Sequence, residues 1–216
     1  MTEQDPKTTR VLVIRHGETV WNALGRQQGQ LDTELNARGV AQAECLARAL
    51  AERRIHALVS SDLGRARQTA GIIARGLGLE PVLDARLREQ HLGILQGRTI
   101  AAFRQEHPEA YRRFRGHDID WALPGGESLR QLDARVSACL DDLASRHTGE
   151  TLAVVTHGGV LNRIFRRVCG LGPEVPRAFS LLNASLNEFS AVDGRWKLEH
   201  WGDVHHLRDL GSDDDW

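Results

Sequence analysis

The chain has 216 residues, 41% hydrophobic and 26% charged, proportions that suit a soluble globular domain with a full core. A formal net charge of -1 argues against bulk nucleic-acid binding, and no apolar run is long enough to span a membrane. Cys45, Cys139 and Cys169 share no close spacing, so neither a disulfide framework nor a cysteine metal site is expected.

Residues 1–9 are polar. The apolar run Val11 to Ile14 then reads as a buried strand over 10–15, feeding Arg15-His16-Gly17-Glu18-Thr19. A loop through 35 follows. Asn36 caps a helix over 37–53, in which Val40, Ala43, Leu46, Ala47 and Leu50 recur at helical spacing. A strand over 56–60 leads to a helix over 63–77 ended by Gly78, and a strand near 81–84 precedes Glu89. Residues 98–123 form a polar insertion dotted with aromatics, helical around 99–116 with a break at Pro108. A helix over 127–147 feeds a strand over 151–156, and Gly159 to Cys169 begins the next helix. Around 179–200 the alternation predicts two paired strands turned by Asp193-Gly194. The acidic end, Gly211 to Trp216, is expected to fray. These elements predict an α/β fold: a three-layer α/β/α sandwich with a mostly parallel central sheet. A single domain over 1–216 carries a small helical cap insertion at about 98–123.

Two of the strands end alike. Arg15-His16-Gly17 follows the first, and Thr156-His157-Gly158-Gly159 follows the strand over 151–156. In open α/β sheets ligands bind beyond the carboxyl ends of strands, so both histidines face the functional edge. They could be metal ligands, an acid/base or nucleophilic pair, or structural residues satisfied by backbone. The arginines discriminate. Arg15 adjoins His16, and Arg65 lies in SSDLGRARQTA after a third apolar run. Guanidinium repels a metal cation but binds two phosphoryl oxygens with its planar fork. No H-E-x-x-H, paired cysteine or Asp-rich loop is present. The reading is a phosphate site without metal.

A neutral imidazole is a competent nucleophile, and attack on phosphorus gives a phosphohistidine. Arginines and loop N–H groups stabilise the equatorial oxygens, and the departing alkoxide needs a proton. Glu89, in LREQHLGILQG, is the best candidate donor, although a lone Glu in a loop is ordinarily a solvated surface residue.

With RHGET and Asn22, SSDLGRARQTA, LREQHLGILQG, PGGES at 124–128 and VVTHGG in this order, the chain resembles the histidine phosphatase superfamily, in its phosphoglycerate mutase-like branch. The match runs from about Arg10 to Leu207. The resemblance implies that His16 is the phosphorylated nucleophile, that Arg15, Arg65 and His157 complete the phosphate pocket, and that Glu89 is the proton donor. Asn22, Gln28 and Gly158 match positions that contact the phosphoryl group. Thr19 and Glu127 sit in family motifs without an assigned role, and His91 and His117 are expected at the surface or the substrate rim.

Arg98, Phe103, Tyr111, Arg112, Phe114, Arg115 and Trp121 belong to the cap, where the aromatics are expected to serve the cap's own packing. Trp21, beside Asn22, is the better rim candidate. Cofactor-dependent mutases of the family share the Gly-x-Leu-Gln-Gly seen at 93–97, yet carry a longer insertion and C-terminal segment. The expectation is therefore a metal-independent phosphatase without cofactor, hydrolysing a small-metabolite phosphomonoester through a phosphohistidine. The alternative is a phosphoglycerate mutase primed by a bisphosphoglycerate; a non-catalytic phospho-ligand binding protein would have no need of Glu89. A small phosphorylated metabolite is the expected partner, in the cytoplasm, with no nucleic acid and no membrane. Oligomeric state is open, with a homodimer among the options.

Overall fold

Strand β1 (Thr9–Arg15) occupies the middle of a six-stranded sheet, beside β4 (Thr151–Thr156), then β2 (Ala57–Ser60) and the edge strand β3 (Val82–Leu83). These four run parallel. On the other side of β1 the hairpin of β5 (Leu186–Val192) and β6 (Arg195–Asp203) adds two antiparallel strands, so the sheet is mostly parallel as expected. This computed structural model describes residues 7–116 and 118–211. His117 and the acidic residues 212–216 thus lie outside the described residues, as do residues 1–6.

Period-2 alternation distributes each strand between two cores. Val11 and Val13 of β1, with Leu152 and Val154 of β4, face α6 (Leu129–Arg146) and α7 (Gly158–Cys169), where Leu132, Val136, Leu140, Leu161 and Ile164 meet them. Leu12 and Ile14, with Ala153 and Val155, face α2 (Ala37–Ala51) and α3 (Gly64–Leu77) through Leu46, Leu50, Ala70 and Ile73. Both faces of the central strands are dry, which is why their sequences read as continuous apolar runs. Three layers result.

The helix boundaries follow their caps. Asn36 accepts from Gly39 N at 2.8 Å to start α2, and Ser128 with Gln131 forms a capping box on α6. Gly78, at φ 65°, ends α3 in the left-handed conformation. Three expectations need correction. The loop after β1 contains a short helix, α1 (Val20–Ala23), begun by a reciprocal Thr19–Asn22 capping box. The strand near 81–84 shrinks to two exposed residues, Val82 and Leu83, because the chain leaves the sheet at once for a one-turn helix over Ala85–Leu87. Strand structure does not begin at 179. Residues 179–185 turn across the C-terminal end of β1 instead, where Ala184 N donates to the carbonyls of Arg15 and His16 at 3.0 and 3.2 Å.

The segment over 98–123 holds α4 (Ile100–Glu106) and α5 (Pro108–Phe114), broken where expected at Pro108. It has a small core of its own, Leu95, Phe103 and Leu123, against which Tyr111, Phe114 and Trp121 pack.

Candidate active site

Sheet register creates the site. Arg15 of β1 pairs with Thr156 of β4, so the residues that follow, His16 and His157, leave the sheet side by side. Their ring centroids are 5.2 Å apart, and both side chains are buried. Ser60 ends β2 at the same level, which puts Ser61 and the first turn of α3 beside them. On the far side, Thr156 Oγ1 donates to Leu87 O at 2.8 Å and pins the turn that carries the chain toward Glu89.

His16 is held by both ring nitrogens. Nδ1 lies 2.7 Å from the carbonyl of Gly17, and Arg65 Nε donates to Nε2 at 3.3 Å. A carbonyl only accepts and a guanidinium only donates, so the proton is on Nδ1 and the lone pair on Nε2. Burial pushes the His16 pKa well below the ordinary histidine value, and the Arg65 and Arg15 charges push the same way, against the pull of the Gly17 carbonyl. The imidazole is neutral at pH 7.

Arg65 is completely buried without a carboxylate partner. Nη1 donates to the carbonyl of Leu31 at 2.9 Å and Nη2 to that of Gly29 at 2.7 Å. Arg15 donates Nη1 to the Leu181 carbonyl, while its Nε is buried with no partner. Burial lowers the Arg15 pKa to about 10, the Glu89 charge opposing, so it stays cationic at neutral pH. Two guanidinium groups that hydrogen-bond to carbonyls and not to carboxylates, with the Glu89 charge near both, flank the His16 lone pair and have the chemistry to hold an anion.

His157 caps the N-terminal end of α7 and contacts Ser61 Oγ through Nε2 at 2.8 Å. Its Nδ1 is buried and unpartnered. Its pKa also falls well below the ordinary value, first through burial and then through the charges of Arg65 and Arg15.

Glu89 reaches the same edge. Oε2 accepts from Gly159 N at 2.9 Å and Oε1 from Gln90 N at 2.7 Å. A Cβ on Gly159 would sit 2.1 Å from Glu89 Oε1, so only glycine there admits the carboxylate. Arg135 bonds the Glu89 carbonyl at 2.9 Å and is itself held by both oxygens of Glu127. Glu127 is thus a strut beneath Glu89.

The remaining candidates divide. Gln28 is buried, with an unpartnered Oε1, immediately before Gly29 on the loop that Arg65 clamps. Gly158 brings the α7 backbone against Arg15, since a Cβ there would lie 3.4 Å from Arg15 Nε. Asn22 Oδ1 is committed to Thr19 N and Oγ1 at 3.1 and 3.0 Å, which makes Asn22 a local cap as well as a neighbour of the site. Thr19 is the other half of that cap. Trp21 packs near Gly97 and is half-buried.

A cavity of about 240 Å³ is lined by Gln90, the residue after Glu89, with His91, Phe114, Arg115, Trp121 and Asn162. His91 therefore sits at the rim, and Phe114 and Trp121 face this cavity besides packing the cap, a wider role than packing alone. Sequence reasoning missed Ser61, Asn183 and the carbonyls of Gly29, Leu31 and Leu181. Asn183 Nδ2 donates to His16 O at 3.0 Å. Only Ser61 carried a readable signal, its place between β2 and Arg65. Among the described residues no group of three or more His, Cys, Asp and Glu side chains could hold a metal ion.

Residues 11–204 match the family model for the histidine phosphatase superfamily, branch 1. The chain belongs to that superfamily. It is 42% identical over 212 residues to phosphoglycerate mutase-like protein 4 of Arabidopsis thaliana, covering 96% of this chain and 91% of that protein. It is 41% identical over 210 residues to the metal-independent phosphoserine phosphatase of the same plant, covering 96% and 87%. The solved structure of a mycobacterial glucosyl-3-phosphoglycerate phosphatase with VO3 superposes with a TM-score of 0.80 at 34% identity, over 90% of this chain and 99% of that one. In this chain His16 and His157 meet at neighbouring strand ends although more than a hundred residues separate them in sequence, and Arg65 joins them from the first turn of α3.

Proposed function

We propose that this histidine phosphatase hydrolyses small-metabolite phosphomonoesters through a phosphohistidine on His16, without a metal. The observation that carries the reading is the fixed tautomer of His16, whose Nε2 lone pair lies among two arginines that hydrogen-bond to carbonyls and not to carboxylates. In the first step Nε2 bonds to phosphorus as the ester P–O bond breaks, and Glu89 gives its proton to the leaving alkoxide. Arg15, Arg65, His157 and the α7 N-terminal backbone at Gly158 hold the phosphoryl oxygens, with Asn22 and Gln28 at their edge. In the second step Glu89 takes a proton from water, the water oxygen bonds to phosphorus, and the Nε2–P bond breaks. The organic part of the substrate occupies the cavity beside Glu89, under the cap formed by 98–123 of the single domain.

The two plant relatives bear the names of both reactions, so the fate of the phosphoenzyme is the deciding measurement. Labelled phosphate donor should leave acid-labile, base-stable label on His16, absent from His16→Ala. Water should discharge it readily, with little stimulation by 3-phosphoglycerate. A label that persists in water and passes efficiently to a phosphoglycerate would establish the mutase instead. No helix among the described residues is long and apolar enough to cross a membrane. The free state of Cys45, Cys139 and Cys169 supports a reducing, cytoplasmic setting.

A further inference from the structure

Ser61 is completely buried, and its hydroxyl has two neighbours: Leu63 N, which donates to Oγ at 3.3 Å, and His157 Nε2 at 2.8 Å. The Leu63 amide can only donate, so the hydroxyl proton has one available acceptor, the imidazole. Two arrangements of the pair are conceivable. If His157 carried its proton on Nε2 and donated it to Ser61, the hydroxyl hydrogen would be buried without an acceptor and the Nδ1 lone pair buried without a donor. If Ser61 donates to Nε2, a single group is left over, the Nδ1–H. Buried polar groups are paired wherever the fold allows, so the arrangement with one orphan is favoured over that with two. The His157 ring is neutral, since burial and the nearby Arg65 and Arg15 charges oppose its protonation.

We infer that Ser61 is a positioning residue: its hydroxyl fixes His157 as the Nδ1–H tautomer, so that a neutral imidazole presents a hydrogen-bond donor to the transferring phosphoryl group. The leftover donor is then not a defect of the fold. Arg15 Nε, the other buried unpartnered donor of the site, lies against the α7 backbone at Gly158, next to His157. Both await acceptors, as a phosphoryl group would provide. The histidines are therefore opposite in use although identical in tautomer: His16 offers its Nε2 lone pair, His157 its Nδ1 proton. The Gly17 carbonyl sets the first, and the Ser61 hydroxyl sets the second.

This inference rests on the phosphatase reading, but its first test does not. In protein labelled with ¹⁵N-histidine, His157 is assigned by the signal lost in His157→Gln, and long-range ¹H–¹⁵N correlation reports which ring nitrogen is protonated. His157 should carry its proton on Nδ1, and Ser61→Ala should shift the population toward Nε2–H. Ser61→Ala should also lower kcat by about 10–100-fold, below the roughly 10²–10³ cost of deleting an oxyanion donor outright, with KM changed much less. Ser61→Thr, which keeps the hydroxyl, should restore both tautomer and rate. Wild-type His157 protonated on Nε2 would overturn the inference, as would an unchanged tautomer in Ser61→Ala. If Ser61→Ala does not fold, the wild-type tautomer and Ser61→Thr decide alone. Should His16 take no label while the tautomer behaves as stated, the phosphatase reading fails and the Ser61 relay stands.

Discussion

Each side chain at this sheet edge is defined by what its hydrogen bonds leave over. Glu89 has both oxygens anchored by backbone N–H groups, and its charge still acts on Arg15 and Arg65. As proton donor it should matter most when the leaving group is poor. Glu89→Gln should depress hydrolysis of an alkyl phosphate far more than that of an activated aryl phosphate, by on the order of 10²–10⁴. Equal losses on the two substrates would assign Glu89 to binding. The histidines give a stability prediction with a definite sign. Both have folded-state pKa values below the unfolded value, so beneath about pH 6.5 the unfolded chain binds more protons than the native one. Stability should be full above that pH and fall as the pH drops, by up to about 1.4 kcal/mol per pH unit for each histidine until its folded pKa is reached. Melting temperatures from pH 7.5 to 5 should show the slope, and His157→Gln should flatten it. A slope unchanged in that variant would mean His157 is charged in the native protein.

At the scale of elements, close backbone approach sets the geometry of the loop that follows β1. A Cβ on Gly39 would lie 2.0 Å from the Glu18 carbonyl, and one on Gly17 would lie 2.5 Å from the Gly39 carbonyl. The α2 N-terminus is thus pressed against the loop that carries His16. Gly39→Ala has to separate them, which should cost about 1–3 kcal/mol and lower kcat, read from thermal melts and initial rates. An alanine variant with wild-type stability and activity would show that the contact is dispensable. These contacts also explain what was legible in sequence. The strands, the caps at Asn36 and Gly78 and the pairing of His16 with His157 were readable because apolar runs and cap residues are local signals. The turn of 179–185 across the site was not. Its cause is the capture of Ala184 N by the Arg15 and His16 carbonyls, of Asn183 by the His16 carbonyl and of Leu181 O by Arg15, contacts that no neighbouring residue announces. Ser61, the partner of His157, did carry a local signal, its place between β2 and Arg65, but a serine at a strand end ordinarily caps the following helix.

For the molecule as a whole, the formal charge of -1 conceals a sharp local imbalance. Several other arginines have carboxylate partners: Arg163 has Asp133, Arg88 has Asp62, and Arg135 has Glu127. Arg15 and Arg65 hold carbonyls instead, so their charge is spent on neutral dipoles and remains available to a ligand. Burying unpaired cations opposes folding, and a bound dianion would relieve that penalty in the native state alone. Two consequences follow from the same imbalance. Inorganic phosphate or vanadate should raise the melting temperature, increasingly with concentration, and vanadate should inhibit hydrolysis of an aryl phosphate. Because the charge that holds the anion is supplied by guanidinium groups, hydrolysis should survive EDTA at full rate. Arg65→Lys should weaken both effects despite keeping a positive charge. One ammonium cannot bond the two loop carbonyls, the His16 nitrogen and a phosphoryl oxygen in the planar arrangement the site uses. Activity abolished by chelator and restored by Zn²⁺ would mean that the two histidines hold a metal after all.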